Sequence, residues 1–348
     1  MKNKVFINGR FLEDDISGGV KRFSVEVLKR LNLFPQYTFI VLHSKKGKTI
    51  EVGQNVIYKK VGLFFKGLKW EQITLPLYKL FHRGLLLNTA NSMPFLVRNN
   101  AVVIHDVRLK EELNSGVSTP THIRFNYTVK CAVRRKNIIL TISSFSKERI
   151  INLFGANPSF IYVMRLGHEH IKPISKQGQQ ISQNIKEVTE SDYYLTVNSI
   201  SKHKNTSFIF DLARLHPDKT FCVTGKIYDD IQQEIPNNIK MLGLANDEEM
   251  ALIYGKAKAF ISPSLYEGFG LTPLEALSLG CKKLYLSDIE VFHEIFAQTA
   301  TFFNPYDASL FTFNDKQTDL EAIKKVLNNY SWNNCVKDIM FAIEKKIS

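Results

Sequence analysis

The chain has 348 residues, 44% of them hydrophobic and 23% charged, the balance of a soluble globular protein with room for two ordinary domains. Its formal charge of +13 is lopsided: residues 1–170 hold 27 Lys and Arg against 11 Asp and Glu, while residues 171–348 hold 19 against 22. No apolar run is long enough to span a bilayer, the start MKNKVFINGRF enters a strand without a leader's apolar segment, and Cys131, Cys222, Cys281 and Cys335 form no C-x-x-C pair. A zinc site and a disulfide framework are therefore not expected, and a cytoplasmic location is. The basic half suits an anionic membrane surface, an anionic acceptor or a merely solvated face; no nucleic-acid motif accompanies it.

Lys4 to Asn8 is a first short apolar strand. Ser17-Gly18-Gly19 then leads into a helix with apolar residues at Val20, Phe23, Val27, Leu28 and Leu31, a glycine turn that either cradles a ligand or only turns the chain. Strands follow at Tyr37 to Leu42 and Val56 to Val61. In residues 59–81 (KKVGLFFKGLKWEQITLPLYKLF) bases alternate with large apolar side chains, and Trp70, Ile73, Leu77, Leu80 and Phe81 are expected on one helical face. That face suits either a membrane interface or packing on a sheet. Leu85 to Asn88 and Ala101 to Ile104 are strands, the second ending in His105-Asp106, where doubly wound sheets bind ligands; there Asp106 could orient His105. A helix over Thr119 to Arg135, a strand over Ile138 to Ile142, a helix capped from Ser143 and a strand from Phe160 complete a first βα run. Residues 171–192 are polar and read as a hinge.

The second run begins at Tyr193. Lys204-Asn205 stands at the entrance to a helix over Thr206 to Leu215, a place suited to a diphosphate. Further strands lie at Thr220, Ile239, Ala259, Lys283 and Ala300, with helices from Asp247 and Trp332. Two such runs imply two Rossmann-like domains, and the lack of G-x-G-x-x-G after the first strand argues against a dinucleotide oxidoreductase.

The most informative stretch is 259–280, AFISPSLYEGFGLTPLEALSLG. A strand runs into Glu267, then Gly268 and Gly270 bracket Phe269, and Leu271 precedes a helix expected to use Thr272 as N-cap, Pro273 as N1 and Glu275 as the far half of a capping box. A glycine turn before a helix makes an anion site, and two acids beside it suit a ligand with hydroxyls as well as phosphates, a nucleotide sugar. The plainer reading is a cap and a solvated loop acid.

This stretch resembles the E-x-x-x-x-x-x-x-E signature of retaining glycosyltransferases of the large sucrose-synthase-like class, family 4. Glu267 and Glu275 fall on the two acids, and Gly268 to Pro273 on the GFG-x-x-P core. The resemblance implies an α/β chain of GT-B fold, two Rossmann-like domains facing across a cleft. Residues 1–170 would bind the acceptor, 171–192 would be the hinge, 193–330 would bind the donor, and 331–348 would be a helix crossing back to the first domain. It assigns Glu275 to the ribose, Glu267 and the amides of Phe269 to Leu271 to the sugar, Lys204 to the diphosphate, Leu242 to the base, and Gly18 and Gly19 to the donor's other side; His105-Asp106 matches the family's His-Asp. The family's G-R-x-x-x-x-K-N pattern falls on Asn198 to Asn205, with Ser199 in place of the arginine and His203 as the substituting base. Trp70-Glu71-Gln72 and Leu75-Pro76 resemble a segment of its mannosyl- and rhamnosyltransferase members.

The function so implied is a retaining, metal-independent transfer of a hexose or deoxyhexose, mannose first, from a nucleoside-diphosphate sugar, with no cofactor. The acceptor would be a lipid-linked bacterial surface glycan such as O-antigen on polyprenyl diphosphate. The protein would be cytoplasmic, in peripheral contact with the inner membrane, with no nucleic-acid partner. A GT-B nucleotide-sugar 2-epimerase and a non-catalytic sugar-nucleotide-binding protein are the alternatives.

Overall fold

Short runs of Val, Ile, Leu and Phe, apolar on both faces, build two parallel sheets, each in its own compact unit. The structure is a computed structural model and describes residues 3–13, 18–111, 118–173, 181–198, 202–225, 234–314 and 318–347.

The first unit comprises residues 1–166 and 332–348. Its strands are β1 (Asn3–Asn8), β2 (Tyr37–His43), β3 (Val56–Lys60), β4 (Leu85–Asn88), β5 (Asn100–Val103), β6 (Ile138–Thr141) and β7 (Ile161–Val163), in spatial order β3-β2-β1-β4-β5-β6-β7. Every pairing is parallel, so all the carboxyl ends lie along one edge. The helix Gly18–Arg30 and the closing helix Trp332–Ile347 pack on each other, with Phe23 and Trp332 buried and their rings 6.0 Å apart.

The second unit comprises residues 167–331. It holds β8 (Tyr194–Asn198), β9 (Phe221–Gly225), β10 (Ile239–Gly243), β11 (Ala259–Ser262), β12 (Leu284–Ser287) and β13 (Ala300–Phe303), in order β10-β9-β8-β11-β12-β13, again all parallel.

Three local expectations need correction. Within 171–192, expected to be a hinge, Gln183–Val188 is a helix that buries Ile185 and Val188, and Ser182 donates to Glu249 through both its N–H (3.0 Å) and its hydroxyl (2.7 Å). In this helix Gln183, Asn184, Lys186 and Glu187 are exposed, so its polar residues form one solvated face; residues 174–180 lie outside the described residues. Trp70 does not share a face with Ile73, Leu77, Leu80 and Phe81: it is buried with Glu71 and Leu75, and the other four are exposed. Residues Trp70–Thr74 form a wide π turn, closed by Leu75 N–H to the Trp70 carbonyl, which re-phases the helix Leu75–Phe81 and separates the two sets. The third correction, at Thr272, belongs to the site below. The cysteines are free thiols, and burial pushes Cys222 and Cys281 up to about 12.

Candidate active site

In an open parallel sheet, ligands bind where the strand order reverses, outside the carboxyl ends. In the second unit the reversal falls between β8 and β11. The loop after β8 carries the turn Lys202–Lys204, and the loop after β11 carries Glu267. The two loops are joined: Leu265 N–H donates to the His203 carbonyl at 2.7 Å, and Lys204 Nζ lies 2.5 Å from Glu267 Oε1. Burial pushes the Glu267 carboxyl up, but the Lys204 charge and hydrogen bond, with His203 and Ser264, outweigh it and hold it below its ordinary value. An ionised acid and an ammonium thus sit side by side at the switch point.

Next to them the helix Leu271–Ser278 begins at Gly270, not at Thr272. Gly270 has φ +113, and a Cβ there would stand 2.8 Å from Phe292, so the turn belongs to glycine on two counts. Starting two positions earlier puts Thr272 inside the first turn, and no side chain caps the helix. That start leaves the first-turn N–H groups without a side-chain cap and carries a helix N-terminus's partial positive charge, as an anion site requires. Phe269 is buried, its ring edge-on to Tyr330 at 5.3 Å.

Glu275, freed from capping, points instead to Tyr254 and His170. The Tyr254 hydroxyl donates to Oε2 at 3.0 Å, and His170 Nε2 lies 2.8 Å from Oε1. A carboxylate has about four acceptor positions, so one partner on each oxygen leaves others for a hydroxyl ligand. Neither Tyr254 nor His170 was singled out in the sequence; each lies far along the chain from Glu275, and nothing local marks them.

Asn205 closes the same corner structurally. It takes a left-handed φ of 52 at the start of the helix Thr206–Leu215 and donates from Nδ2 to the Pro305 carbonyl at 2.7 Å. Leu242 is buried in β10, and beside it Gly243 has a positive φ with open space over its α-carbon. Ser199 lies outside the described residues.

In the first unit the reversal falls between β1 and β4. Gly18 and Gly19 follow β1, with open space where each Cβ would be. His105, after β5, is 8% exposed: its Nε2 lies 3.3 Å from the Thr89 carbonyl and its ring meets Phe23 edge-on at 4.9 Å. Burial, opposed by the Thr89 contact, pushes its pKa down to about 4, so the ring is neutral at pH 7. Asp106 was expected to orient this ring, but its Oδ1 accepts from the Arg108 N–H at 3.0 Å, and Thr89 and Phe23 hold the histidine. Behind the switch point, buried Glu71 accepts from Asn8 (2.7 Å), Ser92 (2.6 Å) and Arg10 (3.3 Å), so the Trp70-Glu71-Gln72 segment braces the ends of β1 and β4.

The chain, with its two doubly wound units, has the GT-B fold. Its fold is that of a glycosyltransferase from Rickettsia africae ESF-5 (TM-score 0.68, 13% identity, 100% of this chain and 99% of that one) and of Anabaena Alr3699/HepE solved in complex with UDP and glucose (TM-score 0.60, 13% identity, 100% and 98%). Residues 178–338 match the family model of glycosyl transferases group 1, a span that takes in most of the second unit. The O-antigen chain mannosyltransferase RfbU of Salmonella typhimurium (strain LT2) is 26% identical over 240 residues, 66% of this chain and 64% of that protein. The chain thus spans less than two thirds of that relative's length.

Proposed function

We propose that this protein is a retaining glycosyltransferase that moves a hexose or deoxyhexose, mannose first, from a nucleoside-diphosphate sugar to a growing lipid-linked bacterial surface glycan such as O-antigen. The observation that carries the reading is the Lys204–Glu267 pair at the β8/β11 reversal, beside the uncapped start of the helix Leu271–Ser278. The match to the group 1 family model and the likeness to an O-antigen mannosyltransferase support it.

In this reading Lys204 neutralises the departing diphosphate, helped by His203 and the helix start, so that no divalent metal is required. Glu267 and the amides of Phe269 to Leu271 hold the sugar, and Glu275 holds the ribose. In the first unit His105, neutral at working pH, serves as a hydrogen-bonding group rather than a charge, with Gly18 and Gly19 leaving room for substrate. Retention follows front-face attack, a donor phosphate oxygen taking the acceptor proton. The acceptor is anchored in a membrane, so the protein works as a peripheral protein on the cytoplasmic face; among the described residues no helix is long and apolar enough to cross a bilayer.

Lys204→Ala and Glu267→Ala test the assignment. Each should keep the wild-type melting temperature within a few degrees and lose roughly 100-fold or more in kcat, the scale for a preorganised charge at a reacting centre. Turnover is followed by release of nucleoside diphosphate from each candidate donor, and the anomeric configuration of the product by NMR. Wild-type turnover in either variant would remove the clamp.

A further inference from the structure

The loop between β3 and the wide turn at Trp70 belongs to neither the sheet nor the site. Gly62 and Gly67 both take left-handed φ, +76 and +55, and frame Leu63-Phe64-Phe65-Lys66 as a projecting finger. Leu63 is 68% exposed and Phe64 91%. The finger is held out rather than slack. Buried Glu13 grips its far end, accepting the Gly67 N–H on Oε2 at 2.9 Å and the Ser44 hydroxyl on Oε1 at 2.5 Å. At its near end the Trp70 indole donates to the Val61 carbonyl at 2.8 Å.

Beside the finger, the re-phased helix Leu75–Phe81 shows its second apolar face, with Leu80 73% and Phe81 84% exposed; Phe65, Ile73 and Leu77 line the groove between them. Proteins keep contiguous apolar surface out of water unless something covers it. The rest of the rim says what does. Lys46, Lys48, Lys66 and Lys69 line a basin of about 860 Å³ with Phe64 and Phe65. Lys46, Lys66 and Lys69 have no acid partner among the described residues, and the basin's one acid, Glu13, is already occupied.

The geometry points to docking on an anionic lipid bilayer, with Leu63, Phe64 and Phe65 entering the headgroup–acyl boundary and the four lysines lying on lipid phosphates. The charge pattern selects this occupant. Lysines are compact, flexible point charges suited to a diffuse anionic surface rather than to a forked, stereospecific contact. A polynucleotide would satisfy them but leave the apolar tip in water. The inference rests on the transferase reading only for its purpose. The finger follows the carboxyl end of β3, the same edge of the sheet that carries Gly18, Gly19 and His105. Docking there turns this unit's substrate loops toward the layer that anchors a lipid-linked acceptor.

The test uses the full chain and sedimentation with two vesicle preparations, phosphatidylcholine alone and phosphatidylcholine with about a third phosphatidylglycerol. Binding is expected to the anionic vesicles, weakening as salt rises, and not to the neutral ones. Phe64→Ser with Phe65→Ser should lower the partition coefficient roughly tenfold or more at low salt. Lys46→Gln, Lys48→Gln, Lys66→Gln and Lys69→Gln together should lower it by roughly fivefold per lysine. Both variants should melt with the wild type and show its thermal shift with nucleoside diphosphate. Equal vesicle binding by wild type and variants, or none by the wild type, overturns the proposal. So does a wild-type dimer in light scattering that the two Phe→Ser changes split, which would assign the finger to a second copy. Docking that persists in a chain that binds no nucleotide supports this surface and sinks only the transferase reading.

Discussion

A half-buried acid and a buried histidine show how desolvation is answered by charge in one unit and by neutrality in the other. Glu267 stays ionised because Lys204 outweighs desolvation, whereas His105 has no charged partner shifting it and gives up its proton. The second case has a consequence for stability. A histidine whose folded pKa is depressed binds fewer protons folded than unfolded between the two values, so its contribution is fully present above about 6.5 and is lost as pH falls toward about 4. Stability should therefore drop across that window by up to about 1.4 kcal/mol per pH unit from this residue alone. His105→Phe should flatten that slope in urea titrations at pH 7, 6 and 5, and an unchanged slope would mean that the ring takes up a proton without cost.

At the scale of elements, glycine geometry accounts for what the sequence conveyed and what it concealed. Ser143 was readable as an N-cap, and its side chain accepts the Ser146 N–H at 3.0 Å. Thr272-Pro273-x-Glu275 looked at least as strong, yet the helix starts at Gly270, because a positive φ packed under Phe292 and Phe296 sets the turn before any capping preference acts. Local patterns encode local bonds, and this turn depends on residues more than twenty positions away. Gly270→Ala should accordingly cost about 3 kcal/mol, from backbone strain and overpacking together. The urea midpoint measures it, and a midpoint equal to wild type would show that the turn adapts freely. The same limit hid the wide turn at Trp70, since spacing alone assumes a constant helical pitch and so placed Trp70 with side chains it opposes. Lys204 and Glu267 were recognisable because each sits next to a helix entrance. The grip of Tyr254 and His170 on Glu275 was not, because no spacing rule links three separate segments.

Across the whole molecule, continuous apolar strands alternating with amphipathic helices made two parallel sheets legible, since only burial on both faces suits such runs. The base of the donor is not encoded in so plain a way, and binding linkage can reveal it. A nucleoside diphosphate that binds only the folded chain adds about 2.7 kcal/mol at a hundred times its Kd. Of GDP, UDP and dTDP, the one that raises the melting transition at the lowest concentration identifies the donor class; no shift with any of them would remove the donor site.

The helix Trp332–Ile347 belongs to the first unit although the whole second unit precedes it in the chain. During translation, residues 167–331 leave the ribosome while the first unit still lacks the buried Trp332, Val336, Ile339, Met340 and Ile343. Synthesis order and completion order are therefore reversed: the half begun first is finished last, and until then the surface around Phe23 is one that chaperones would have to shield.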